Sequence, residues 1–66
     1  MLQPLRVGLL AGEASTLKDL AAARAQTGNL AEARASLAEA ARIFEQIADR
    51  DKAAETATLL ASLTVE

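Results

Sequence analysis

The chain has 66 residues, enough for one small domain with a core near the lower limit of independent stability. It contains no cysteine and no histidine, which excludes disulfides, thiolate metal sites and the commonest general base. We therefore expect a protein that is not an enzyme and carries no metal or cofactor. The formal net charge of −2 also lacks the basic surplus of a nucleic-acid binder.

The first ten residues, MLQPLRVGLL, are apolar but are interrupted by Pro4, Arg6 and Gly8. This stretch is too short to cross a membrane, and it lacks the basic start and continuous apolar run of a secretory signal. We therefore expect a cytoplasmic protein that does not bind membranes. We interpret residues 1–10 as a partly ordered segment or a cap, and residues 11–66 as the helical domain.

From Ala11 onward the chain is rich in good helix formers, and Gly28-Asn29 is the one strong interruption. Gly28 suits the left-handed position that closes a helix, and Asn29 suits the cap of the next one. Glu32, three residues after Asn29, completes the pattern of a capping box. These residues predict a tight antiparallel hairpin of two helices, at about 11–27 and 29–48.

After the turn, apolar side chains recur at spacings of three and four, which indicates one apolar stripe along the second helix. The stripe consists of Leu30, Ala33, Leu37, Ala40, Phe44 and Ile47. A polar DRDK segment follows Ala48, and Asp51 in it is a candidate cap for a third helix at about 51–64. The predicted fold is all-α: an antiparallel helical hairpin plus a third helix.

The sequence also contains a short internal repeat. AGEASTL at 11–17 aligns with AAETATL at 53–59, with a shift of 42 residues and four identical positions. Because the predicted hairpin separates the two copies, the alignment indicates that a helix-pair unit starts again at the third helix.

The order of these elements resembles the tetratricopeptide repeat family, in particular the longer repeats of kinesin light chains and bacterial signalling proteins. The segments that carry the resemblance are STLKDLA (15–21), GNLAEA (28–33), AARIF (40–44) and IADRDKAAETATL (47–59). They cover about one and a half repeats. The resemblance implies close packing of the first two helices at small residues, and a role in binding proteins. The implied turn and packing residues are Ala21, Gly28, Asn29, Ala33 and Ala40.

Three positions depart from the family pattern. Arg24 and Leu30 stand where the family usually has aromatic residues, and Ala48 stands where its second turn carries glycine. A left-handed alanine is disfavoured by about 1 kcal/mol. Two arrangements therefore stay open at Ala48: a second turn, or one helix that continues through it.

Two hypotheses for function follow, and both are non-catalytic. In the first, the chain forms a homo-oligomer through apolar faces of the third helix, and the candidate interface is Ala57, Leu60, Ala61 and Leu63.

In the second, it binds a peptide or helix of another protein through the first helix, whose counterpart in the family lines a concave groove. The candidate groove residues are Lys18, Asp19, Ala22 and Gln26. The opposite charges of Lys18 and Asp19 replace two family asparagines, which weakens the expected backbone-clamping role. A third hypothesis, a small enzyme or ligand-binding bundle, is disfavoured because the chain also lacks tyrosine.

Overall fold

A computed structural model of the chain describes residues 4–64, with side-chain surroundings given for residues 6–63. It contains three α-helices, α1 (Pro4–Gln26), α2 (Leu30–Gln46) and α3 (Arg50–Thr64), and no strand within the described range. The prediction of an all-α fold, with a helical hairpin followed by a third helix, is confirmed.

The three helices form an elongated body of 40 × 17 × 13 Å. The middle helix, α2, packs against both α1 and α3, whereas α1 and α3 contact each other far less. Turns of three residues, 27–29 and 47–49, connect the helices, so consecutive helices run in opposite directions. This arrangement leaves a groove between α1 and α3, and a second open surface on the other side of α3.

The start of α1 corrects the predicted boundary at Ala11, because the helix already includes Pro4 to Leu10. Proline at the first helical position needs no backbone hydrogen bond, and its fixed φ suits a helix. Gly8 lowers helix stability by only about 1 kcal/mol. Leu10 offsets that loss because it packs against the buried cluster around Phe44. The rest of the predicted N-terminal segment, residues 1–3, lies outside the described range.

Both connections between helices are turns that contain a left-handed residue. Gly28 has φ 85° and Ala48 has φ 63°. The alternative of one continuous helix through Ala48 is therefore wrong: α2 ends at Gln46 and α3 begins at Arg50. The strain at Ala48 is offset by backbone hydrogen bonds, among them one from the Asp49 N–H to the Phe44 carbonyl at 2.9 Å.

The predicted helix caps need correction at both turns. The Asn29 side chain makes no capping hydrogen bond. No capping box forms there, because the Asn29 N–H donates to the Arg24 carbonyl at 2.8 Å and the Glu32 carboxylate accepts from Arg24. In the second turn the cap is Asp49 and not Asp51, since its Oδ1 accepts the Lys52 N–H at 3.3 Å.

The core consists of two clusters of buried side chains, one toward each end of α2. The first comprises Ala14, Ala40, Ile43, Phe44 and Ala53, and the second comprises Ala21, Ala33 and Leu37. Alanine is common in both, so the helix backbones can approach closely, but the area buried per residue is small. Of the predicted packing residues, Ala33 and Ala40 are fully buried and Ala21 is nearly so.

One buried polar side chain was not anticipated from the sequence. Thr56 of α3 is fully buried, and its hydroxyl donates to the Lys52 carbonyl at 2.7 Å. This bond satisfies the hydroxyl within its own helix, so its burial carries little penalty. The internal repeat provides a signal, since Thr56 aligns with the equally buried Ala14.

Candidate interaction surfaces

The first candidate surface is the groove between α1 and α3, which we call the α1–α3 groove. Its volume is about 120 Å³. Leu37 of α2 lines it together with residues from both flanking helices. The other lining residues are Lys18, Ala21, Ala22, Ala25, Leu59, Ser62 and Leu63. Leu59 is 44% exposed, which makes it a large apolar side chain accessible within the groove.

The structure brings together two of the four groove residues that the sequence predicted. Lys18 and Ala22 line the α1–α3 groove, whereas Asp19 and Gln26 are exposed and do not line it. The Lys18 ammonium forms an ion pair with Glu55 of α3, with Nζ and Oε1 3.2 Å apart. Because both side chains are partly exposed, this pair adds little stability. It does link the two walls of the groove.

The predicted oligomer interface is divided by the structure between two sides of α3. Leu60 and Leu63 are half-buried and pack against the cluster of Ala21, Ala33 and Leu37. Ala57 and Ala61 are exposed. A substitution at Leu60 or Leu63 would therefore disturb the core, and the two alanines are the more exposed members of the predicted interface.

The second candidate surface, which we call the α2–α3 face, lies on the exposed side of these alanines. It contains an open depression of about 490 Å³. The depression is lined by Glu45, Ala48, Arg50, Ala53, Ala54 and Ala57. Four of these six residues are alanines, so a partner helix could approach the backbone closely. Sequence reasoning missed Glu45 and Arg50 because they flank a turn whose geometry was left open.

Arg24, at the opposite side of the molecule, has a structural role in the hairpin. Its guanidinium Nη1 forms an ion pair with the Glu32 carboxylate, which links α1 to α2 beside the first turn. The Arg24 Nε is buried without a hydrogen-bond partner. The side chain as a whole is 37% exposed, so it is no enclosed binding site.

Within residues 4–64, no group of three or more acidic side chains is placed to hold a metal ion. No helix in that range is long and apolar enough to span a bilayer. Comparison with protein-family models, curated proteins and solved structures found no match. The resemblance to tetratricopeptide repeats therefore stays a prediction from the residues quoted above.

Proposed function

We propose that this chain is a non-catalytic protein–protein interaction module of the cytoplasm, and that it associates with itself through the α2–α3 face. The observation that carries the proposal is the open depression of about 490 Å³ lined mainly by alanine. It lies where the end of α2 meets the first half of α3, and its lining residues Ala48, Ala54 and Ala57 are exposed. The two accessible members of the predicted interface, Ala57 and Ala61, belong to the same exposed side.

The small core gives a second reason for self-association. Among the described residues, the largest fully buried side chains are Phe44 and Thr56, and most other core positions are alanine. A domain of this size gains only about 3–5 kcal/mol from its own core. Association with a second copy would stabilise the folded state by mass action.

Light scattering over a range of concentrations, combined with thermal unfolding, tests the proposal. We expect the mass to rise with concentration toward twice the chain mass of 6.9 kDa. The midpoint of unfolding should rise with it, because dimerisation is coupled to folding. A mass of 6.9 kDa at every concentration, with a constant midpoint, would contradict self-association.

The α1–α3 groove supports a second candidate function, the binding of a peptide or helix from another protein. The observation in its favour is the exposed Leu59 beside the apolar floor at Leu37. The groove is small, about 120 Å³, and its apolar lining consists of alanine and leucine side chains. We therefore expect it to take one aliphatic side chain in preference to an aromatic one.

A peptide series with leucine, valine or phenylalanine at one position of a fixed helical sequence tests this candidate. Binding measured by fluorescence anisotropy should be strongest with leucine or valine, and Ala22→Glu should abolish it. Leu20→Glu is the matched control, since Leu20 is also exposed on α1 but does not line the groove. Equal binding by the two variants would exclude the groove.

A further inference from the structure

The side of α2 that borders α3 carries a row of four residues with opposite charges at its two ends. The row is Arg34, Ala38, Ala41 and Glu45, at spacings of four, three and four. Such spacings place side chains on one side of a helix. Two contacts show that this side of α2 faces α3. Arg34 donates to the Leu63 carbonyl of α3 at 3.4 Å, and Glu45 lines the depression near the start of α3.

The spacings in this row, and its order of charged and small side chains, are the same in both directions along the helix. Only the sign of the charge differs between the two ends. When the helix is turned end for end, Arg34 takes the place of Glu45, and Ala38 takes the place of Ala41. The two central residues are alanines, which are only partly covered by the rest of the chain. Two copies of the row can therefore meet in antiparallel orientation with opposite charges at both ends and small side chains at the centre.

The residues of α3 fit the same two-fold arrangement. α2 and α3 are antiparallel, and Arg34 lies beside Leu63. With an equal rise of about 1.5 Å per residue in both helices, Ala57 is then level with Ala40, at the centre of the α2 row. A two-fold axis at that level places Ala54 of one copy opposite Ala61 of the other. Because both residues are alanines, no large side chain keeps the α3 helices of the two copies apart at these positions.

The charges at the ends of the row are available for an intermolecular contact. Within residues 6–63, Glu45 is exposed and forms no ion pair. The guanidinium of Arg34 has five N–H donors, and its one hydrogen bond here, at 3.4 Å, is long. Glu45 lies eleven positions after Arg34 along α2, which is roughly 16 Å. That distance exceeds the Debye length of about 8 Å at physiological salt, so the two charges do not pair within one chain.

From this charge complementarity we propose that the occupant of the α2–α3 face is a second copy of the chain, docked antiparallel about a two-fold axis. Arg34 of each copy pairs with Glu45 of the other, and Ala38 packs opposite Ala41. The inference deepens the proposed self-association, on which it rests. It adds the row on α2 that extends this face, the antiparallel orientation and the two residues that determine the pairing.

A charge-reversal experiment with two variants tests the orientation directly. In Glu45→Arg, arginine meets Arg34 of the second copy at both ends, and in Arg34→Glu, glutamate meets Glu45. Each variant alone should dimerise about tenfold more weakly than the wild type or worse. An equimolar mixture should form a heterodimer with wild-type affinity, because both of its contacts are then oppositely charged. Native mass spectrometry and light scattering measure both results.

Matched controls and a replacement variant keep the outcome interpretable. Glu39→Arg, and Ala35→Glu as a negative substitution, change the charge at exposed positions of α2 outside the row and should dimerise like the wild type. If circular dichroism shows that Arg34→Glu does not fold, Arg34→Gln replaces it, since glutamine keeps a hydrogen-bond donor for Leu63. Its mixture with Glu45→Arg restores one ion pair and removes the repulsion at the other end, so the heterodimer should bind more tightly than Glu45→Arg binds itself, although below the wild-type affinity.

The experiment separates two kinds of failure. A wild-type chain that is monomeric would overturn the proposed self-association itself. A dimeric wild type whose Glu45→Arg and Arg34→Glu variants dimerise normally, or whose variants fail to recover on mixing, would overturn the antiparallel contact and leave self-association standing.

Discussion

The two turns of this molecule make the same backbone contacts with different residues. In the first, the N–H of Gly28 donates to Ala25 and the N–H of Asn29 donates to Arg24, at 3.1 and 2.8 Å. In the second, Ala48 and Asp49 make the corresponding bonds at 3.1 and 2.9 Å. Both are Schellman turns, in which a left-handed residue closes the preceding helix.

The two turns differ in which position has a favourable residue: the left-handed position or the cap of the following helix. The first has glycine at the left-handed position, but the side chain of Asn29 caps nothing. The second has an alanine in that strained conformation, but the Asp49 carboxylate caps α3. A favourable cap thus stands where the left-handed residue is unfavourable. The turn geometry is therefore retained in the second turn although alanine is a poor residue for its left-handed position.

The largest effect should come from a β-branched residue in the first turn. Gly28→Val should lower the free energy of unfolding by about 1–2 kcal/mol, because valine resists positive φ. A Cβ added at Gly28 meets no atom outside its neighbouring residues within 4 Å, so the change in free energy of unfolding reports backbone strain and not a steric clash. Chemical denaturation followed by circular dichroism measures it. Gly12→Ala is the control, and this helical glycine with open space around it should gain stability. If Gly28→Val leaves the free energy of unfolding unchanged, residue 28 does not adopt the left-handed conformation.

Removal of the cap in the second turn should have the next largest effect. Asp49→Ala should destabilise by about 1 kcal/mol, because the Lys52 N–H loses its acceptor. Asp51→Ala removes the same charge two residues later without removing that bond. It should lose only a few tenths of a kcal/mol through the helix dipole. Equal losses in the two variants would show that charge, and not capping, is what matters at this helix start.

Relief of the strain in the second turn should stabilise the protein. Ala48→Gly should raise the free energy of unfolding by about 0.5–1 kcal/mol, because glycine adopts positive φ readily. The gain is reduced by the greater freedom of glycine in the unfolded chain. The midpoint of urea unfolding measures the change. Destabilisation by this substitution would indicate that α2 and α3 are continuous in solution.

The smallest effect should be at Asn29, the counterpart of Asp49. Asn29→Ala should change stability by no more than a few tenths of a kcal/mol, because its side chain makes no capping bond. The comparison with Asp49→Ala, under identical denaturation conditions, is the sharpest contrast between the two turns. A loss of about 1 kcal/mol at both positions would mean that Asn29 does cap α2 in solution.

The sequence predicted the fold where one strong local signal decided it. Gly28 located the first turn because few other residues adopt positive φ, and the apolar spacing of α2 identified buried residues such as Leu37 and Phe44. It left the second turn open because Ala48 is a good helix former. The choice there depends on tertiary contacts, including those of Phe44 and Ala53, which no local pattern contains.

The candidate surfaces were only partly predictable for the same reason. The spacing in α3 groups Leu60 with Ala57 and Ala61, but the direction in which α3 packs on α2 decides which of them face the core. Leu60 packs inward and Ala57 outward. Lys18 was placed on a binding face, and its ion pair with Glu55 depends on a contact across 37 residues that the sequence does not reveal.

The central claim, self-association through the α2–α3 face, is tested most directly by the mass of three chains measured in parallel by light scattering. They are the wild type, Ala57→Glu on that face, and Ala35→Glu, which is an exposed alanine of α2 outside it. We expect the wild type and Ala35→Glu to reach twice 6.9 kDa, while Ala57→Glu stays at 6.9 kDa with its helix content intact. Equal masses for the two variants would contradict it.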